Sequence, residues 1–351
     1  MGVTKRKYNG ENIRIIKEIT SSLNKIAILL PKKFNEYEIL RKYQEYYPFE
    51  WKMLVERQEV YREIDNFLIK QNKKKRYNPE SPEAYFYNHP KVKQMLSNGF
   101  RLKHAQSLNE PDIKQKKQQI ISQRKKAIKK QDEKIKAAKI NAQNVNPNYL
   151  DKLMNAYHKK KLNAEEKLII LDELTRFDTK KITTFFRKIN ASERNMTLRH
   201  FAFFHLQSYG HYVTLRKGFK GKKKSYMIEE ADLSDKTPED LYNLIATQKT
   251  IMCQEYDYFI SHSSKDKELV RKTIQKLNGE GKFCYCDWTL DDTFLKRDLV
   301  SDYTKEVLKL RMRQSKKMII IKTKNSSLSC WVNFEKEYFE SLGKEIIIIE
   351  K

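Results

Sequence analysis

The strongest constraint on the fold is a pattern in the last third of the chain: four short apolar runs, each separated from the next by a segment long enough for a helix. The runs are 256–260 (Tyr-Asp-Tyr-Phe-Ile), 283–287 (Phe-Cys-Tyr-Cys-Asp), 318–321 (Met-Ile-Ile-Ile) and 345–349 (Glu-Ile-Ile-Ile-Ile). Runs this short and this continuously apolar fit strands buried on both faces. Strands that alternate with helices fold as a parallel sheet covered on each side. Between them, 261–266 (Ser-His-Ser-Ser-Lys-Asp) reads as a polar turn capping a helix to Leu277, closed by Asn278-Gly279. Residues 288–298 read as a loop, and 299–312 as a helix ending in Arg311 and Arg313, where the dipole favours cations. A last helix, 331–342, is stopped by Gly343.

An open parallel sheet binds ligands at the carboxyl ends of its strands. Here those ends carry Ser261, Asp287 and the polar loop before Trp331. Trp331 and Glu335 stand four residues apart, so on a helix they share one face. A carboxylate beside an indole at such a rim suits chemistry on an aromatic nucleotide.

The rest of the chain differs in charge. The formal net charge is +27, of which residues 1–249 carry +24 and the remainder only +3. Two readings fit: a Lys-rich composition without a partner, or an N-terminal region that meets an anion, with nucleic acid ahead of a membrane surface. Residues 1–110 read as a mainly helical domain. Expected there are a helix over 11–23, an Asn35 cap before a helix through Tyr46, and Pro48 at the first turn of the next helix. In that helix Trp51, Leu54, Val55, Tyr61, Ile64, Phe67 and Leu68 recur at helical spacing and read as a core face. Lys73 and Arg76 lead into a loop-rich stretch with Pro79, Pro82 and Pro90, whose aromatics Tyr77, Tyr85, Phe86 and Tyr87 either stack on single-stranded nucleic acid or pack the loop down.

Residues 111–145, including Lys125 and Lys126, read as a highly basic helical arm or linker, polar all round. Residues 146–249 read as a small helical bundle followed by a basic loop (Lys222, Lys223, Lys224) and a linker, with Asn163 and Asn190 as helix caps. His200, His205 and His211 lack the spacing of a metal site, and no metal is expected. All four cysteines lie in the C-terminal part, none in a C-x-x-C pair, as in a reduced protein. With no apolar run of membrane-spanning length and no signal-peptide core, a soluble, cytoplasmic protein is expected.

Three segments of residues 250–351 together carry a family resemblance. They are 257–266 (Asp-Tyr-Phe-Ile-Ser-His-Ser-Ser-Lys-Asp), 285–288 (Tyr-Cys-Asp-Trp) and 329–335 (Ser-Cys-Trp-Val-Asn-Phe-Glu), followed by Gly343-Lys344. In this order and spacing they resemble the Toll/interleukin-1 receptor (TIR) domain in its bacterial form. The resemblance implies an α/β, flavodoxin-like domain with a parallel sheet, joined to the mainly α-helical N-terminal region. It also implies cleavage of NAD at the nicotinamide–ribose bond, with Glu335 at the position of the catalytic glutamate. Around it, Trp331, Asp287, Trp288, Ser261, His262 and Phe259 would line the NAD pocket, and Lys296 and Arg297 would meet the diphosphate. Members of this kind often act once assembled, and resemble anti-phage effectors. The reading is therefore an NAD-cleaving effector that self-associates through its TIR domain, with a sensing or docking region before it. The rivals are a cyclase that turns NAD into a cyclic ADP-ribose-type signal, a TIR scaffold without activity, and a nucleic-acid-binding protein.

Overall fold

The computed structural model describes residues 3–108, 111–159, 162–215, 237–247, 254–291, 295 and 301–350. Within it the chain forms two compact units. One holds residues 1–137 with 207–212, the other 138–206 with 213–351.

The first unit is helical: α1 (Val3–Ile26), α2 (Glu36–Tyr46), α3 (Pro48–Lys70), α4 (Pro82–Tyr87), α5 (Pro90–Met95), α6 (Asn98–Ser107) and most of α7 (Ile113–Lys139). Helix α1 is longer than the 11–23 expected from its apolar positions, and residues 27–29 close it as a 3₁₀ turn. Asn35 caps α2 through a reciprocal pair with Glu38, and Pro48 opens α3. The stretch expected to be loop-rich holds two short helices instead. Pro82 and Pro90 each sit at a helix start, where the missing N–H costs nothing.

The apolar stripe of α3 is only partly a core face. Leu54 and Tyr61 are buried, but Val55, Ile64 and Phe67 are exposed. Part of the inward face is polar: the fully buried Arg57 donates to Asn12 (2.6 Å) and Gln58 (3.2 Å), and Tyr61 donates to Glu11 (2.6 Å). Charged side chains buried with partners complete this interior in place of aliphatic ones. Phe86 is fully buried, and the Tyr77 ring packs against Tyr8 and Tyr61. Both serve packing. Helix α7 is not solvated all round, because Ile113 is buried and Arg124 lies over the Tyr47 ring while donating to the Tyr46 carbonyl (2.8 Å). Lys73, Arg76, Lys125 and Lys126 are exposed.

In the second unit, helices α8 (Tyr149–Tyr157), α9 (Ala164–Thr175), α10 (Lys180–Ser192) and α11 (Met196–Ser208) precede α12 (Pro238–Thr247). Asn163 caps α9 as expected. Asn190 lies inside α10, and Asn195 accepts from the Leu198 N–H at the start of α11 instead. Then come β1 (Tyr256–Ser261), α13 (Lys267–Gly279), β2 (Cys284–Tyr285), α14 (Asp287–Leu290), α15 (Asp302–Gln314), β3 (Ser315–Lys322), α16 (Lys324–Ser327), α17 (Cys330–Ser341) and β4 (Ile346–Glu350). The four strands form a wholly parallel sheet in the order β2-β1-β3-β4.

One continuous core joins α8–α11 to one face of this sheet. Tyr149 and Phe177 stack on Phe283, which follows α13 and leads into β2. A smaller core of Ile260, Val270, Ile274, Cys284, Cys286, Ile319 and Ile321 fills the other face. The alternation along β3 decides which core each side chain enters: Met318 and Ile320 join the larger, Ile319 and Ile321 the smaller. At the β2 edge, Gln143 takes the place of a further strand: its side-chain amide donates to the Cys284 carbonyl (2.6 Å) and accepts from the Cys284 N–H (3.2 Å). An edge that would otherwise be open is thereby paired. No described helix is long and apolar enough to cross a membrane.

Candidate active site

The strand order sets the place of the site. After β1 the chain moves outward to β2, and after β2 it crosses back over β1 to β3, so the order reverses between β1 and β3. The crevice outside the carboxyl ends of two such strands is where open α/β sheets take ligands. Ser261 is the last residue of β1, paired in register with Ile320 of β3. The loops leaving the two strands are tied together: Thr323 Oγ1 and Asn325 Nδ2 donate to the Asp266 carboxylate at 2.6 and 2.9 Å. A capping box between Thr323 and Ser326 shapes α16, and Ser329 caps α17. Helix α17 then carries Glu335 over the end of β1.

Glu335 is 7% exposed, and Ser261 Oγ donates to its Oε2 at 2.5 Å. Burial pushes its carboxyl up to about 8. The Ser261 hydrogen bond opposes the shift and the negative charge of Asp287 adds to it. A carboxyl held this way keeps its proton at neutral pH until a positive charge comes close. A cation beside it then favours the ionised form.

Around Glu335 the structure assembles several of the residues expected from the sequence. Asp287 opens α14, with Oδ1 3.8 Å from His262 Nε2. The His262 ring faces Trp288 at 6.2 Å, and the Trp288 indole is flanked by Lys267 and Arg271. Trp331, one turn before Glu335, is half-buried against the main core and meets Phe334 edge-on. Phe259 is not brought to the rim. Its ring is buried below it, stacked on Tyr285 at 5.1 Å. Lys296 and Arg297, like Lys222, Lys223 and Lys224, lie outside the described residues.

A second group escaped the sequence reading. Arg311, expected at a helix end facing the dipole, is instead fully buried and pairs with Asp291 through two contacts, Nε–Oδ2 at 3.0 Å and Nη2–Oδ1 at 3.1 Å. Tyr285 donates to the same carboxylate (2.8 Å), and Arg311 reaches Gln254 (3.0 Å), which in turn donates to Glu173 of α9 (3.1 Å). The network anchors the end of α14, and so the segment that carries Asp287 and Trp288. Nothing in the spacing of Asp291 and Arg311, twenty residues apart, signals that they meet.

Comparisons with known proteins bear on the same segment. The family model of the Thoeris protein ThsB, TIR-like domain, matches residues 259–351, the segment that holds the rim. Over 348 residues the chain is 43% identical to a Cytobacillus dafuensis protein named "Putative cyclic ADP-D-ribose synthase TIR2", covering 99% of this chain and 92% of that one. The chain belongs to the bacterial TIR-domain proteins. Its TIR domain follows a helical region that this relative shares along nearly its whole length. Over 135 residues it is also 29% identical to the "Probable 3' cyclic ADP-D-ribose synthase ThsB'" of Bacillus cereus (strain MSX-D12), covering 38% of this chain and 67% of that one. No solved structure matches.

Proposed function

We propose that this TIR protein cleaves the nicotinamide–ribose bond of NAD at Glu335 and closes the remaining ADP-ribose into a cyclic nucleotide, as an effector in defence. The observation that carries the proposal is the buried Glu335 carboxyl, hydrogen-bonded to Ser261 where the strand order reverses. The names of the two relatives favour cyclisation over the plain hydrolysis that the sequence reading placed first.

The chemistry follows from the charge. The nicotinamide ring of NAD is a cationic leaving group that departs as a neutral pyridine, so no general acid is required. The pyridinium entering beside Glu335 favours its ionised form, and the carboxylate then faces an oxocarbenium-like ribose carbon, where negative charge lowers the barrier. Cyclisation needs a nucleophile from the adenosine half in place of water. If that nucleophile is a hydroxyl, its proton passes to Glu335 as the new C–O bond forms. A carboxyl pushed up to about 8 is well matched to that role. Ser261 and His262 would hold ribose or phosphate, Trp331 and Trp288 would wall the pocket against water, and Lys296 and Arg297 would meet the diphosphate.

Purified protein is incubated with NAD beside Glu335→Gln, and products are resolved by chromatography and mass. Release of nicotinamide with a nucleotide one water lighter than ADP-ribose supports the cyclase. Linear ADP-ribose alone replaces it with hydrolysis, and turnover unchanged in Glu335→Gln removes Glu335 from the chemistry. The basic first unit is a separate matter: nucleic acid there would bind with affinity that falls steeply as salt rises. Self-association through the TIR domain would show as a product rate that climbs faster than protein concentration.

A further inference from the structure

Beside Glu335 lies a trio of side chains that the proposed reaction does not fully use. His262 Nδ1 is 3.1 Å from the Ile260 carbonyl, an acceptor, so this nitrogen carries the ring proton. The other nitrogen, Nε2, then presents a lone pair, yet it faces the Asp287 Oδ1 carboxylate oxygen at 3.8 Å. Two acceptors at this separation leave a slot that a donor or a cation can fill. The fully buried Cys286 Sγ lies 3.8 Å from the same carboxylate oxygen and 4.0 Å from the Nδ1 side of the imidazole. We propose that His262 Nε2, Asp287 Oδ1 and Cys286 Sγ form a binding site for a divalent transition-metal ion of the zinc class.

The donor set and spacing fit. A tetrahedral ion with bonds of about 2.0–2.3 Å holds its donors roughly 3.3–3.6 Å apart. One ring nitrogen of His262, the Cys286 sulfur and an Asp287 carboxylate oxygen all lie within 4.8 Å of one another, so side-chain rotations close the site. One sulfur, one imidazole and one carboxylate favour zinc, cobalt or nickel over magnesium or calcium, which take oxygen ligands. The Ile260 carbonyl supplies the outer hydrogen bond that orients a metal-bound histidine. The Asp287 side chain is 41% exposed and offers a way in. Binding replaces the Cys286 S–H bond by a metal–sulfur bond and releases that proton to solvent, leaving a fourth position open. Sequence spacing gives no sign of such a site, because the ligands come from the ends of two different strands.

The test does not depend on NAD turnover. Full-length protein stripped with a chelator is titrated with Co²⁺ at neutral pH. Expected are a thiolate-to-cobalt charge-transfer band and the visible bands of a four-coordinate ion, saturating at one equivalent and erased by Zn²⁺. Cys286→Ser removes the charge-transfer band and Cys330→Ser keeps it. Where Cys286→Ser does not fold, Asp287→Asn at its partly exposed position serves, weakening cobalt about tenfold or more. No band in the wild type, with His262 found as an imidazolium by NMR, means that a proton alone fills the slot and overturns the proposal. So does a band that persists in Cys286→Ser.

Discussion

Two buried carboxylates in the same domain are solved in opposite ways. Asp291, 1% exposed, receives two contacts from Arg311 and a hydrogen bond from Tyr285, and Arg176 Nη1 lies 3.9 Å away. Glu335, 7% exposed, has Ser261 as its hydrogen-bond partner and the like charge of Asp287 among its neighbours. A carboxylate with its countercharge already in place is structural, and the fold spends it on fixing the α14 segment. Glu335 has no such countercharge among the described residues, a state that the proposed cationic substrate would relieve. The difference separates an anchor from a proposed site, although both are acidic residues in an apolar setting.

The comparison can be broken most directly at Glu335. Glu335→Gln is expected to lower NAD turnover at least about 1000-fold, equivalent to about 4 kcal/mol of barrier, with the fold retained by circular dichroism. Turnover within tenfold of wild type would make Glu335 another anchor. Arg311→Ala should do the reverse. It leaves Asp291 buried without its main countercharge and costs about 3–5 kcal/mol in urea unfolding. Restoring an apolar pair with Arg311→Met and Asp291→Leu should recover much of that loss.

The third expectation concerns pH. The folded Glu335 carboxyl holds its proton up to about 8, while in the unfolded chain it loses it near the ordinary carboxylate value. Between the two the unfolded state binds fewer protons, so the Glu335 contribution is complete below that ordinary value and is lost as pH rises toward 8. Wild-type melting temperature should therefore fall more steeply from pH 5 to pH 8 than that of Glu335→Gln. The free-energy difference should be on the order of a few kcal/mol, and parallel curves would show that Glu335 is ionised in the folded protein. The smallest effect is expected from Ser261→Ala, about 1 kcal/mol. Losing this donor to the ionised form moves Glu335 further up, and the rise of kcat/KM with pH shifts to higher pH. An unmoved profile would show that Ser261 does not act through Glu335.

Local chemistry made much of the C-terminal domain legible. The strands, the longer helices between them and the i, i+4 placement of Trp331 and Glu335 follow from apolar runs, stop signals and helical period, each read within a few residues, while the four-residue helices α14 and α16 fall in stretches that read as loop. The Asn35 and Asn163 caps and the Pro48 helix start were readable for the same reason. Legibility failed where the partner was distant. Asn190 reads as a cap from its local sequence, but α10 runs on through it to Ser192 and Asn195 caps α11 instead. The prolines at 82 and 90 looked like loop residues, because a helix of six residues leaves almost no periodicity. The α3 stripe looked apolar throughout, because its period gives no hint that Arg57 would be buried beside Asn12 and Gln58.

By itself, then, the sequence determined the strands and the longer helices of the C-terminal domain and which side chains lie at strand ends, since these depend on neighbours a few residues away. Only the tertiary structure decided that Ser261 and Glu335 meet at the reversal between β1 and β3, that Asp291 and Arg311 are buried together, and that Gln143 closes the β2 edge. It likewise decided that Phe259 lies under the rim instead of on it. These are contacts between residues far apart in the chain. Their energies come from desolvation and partner geometry, which exist only once the sheet has closed its core.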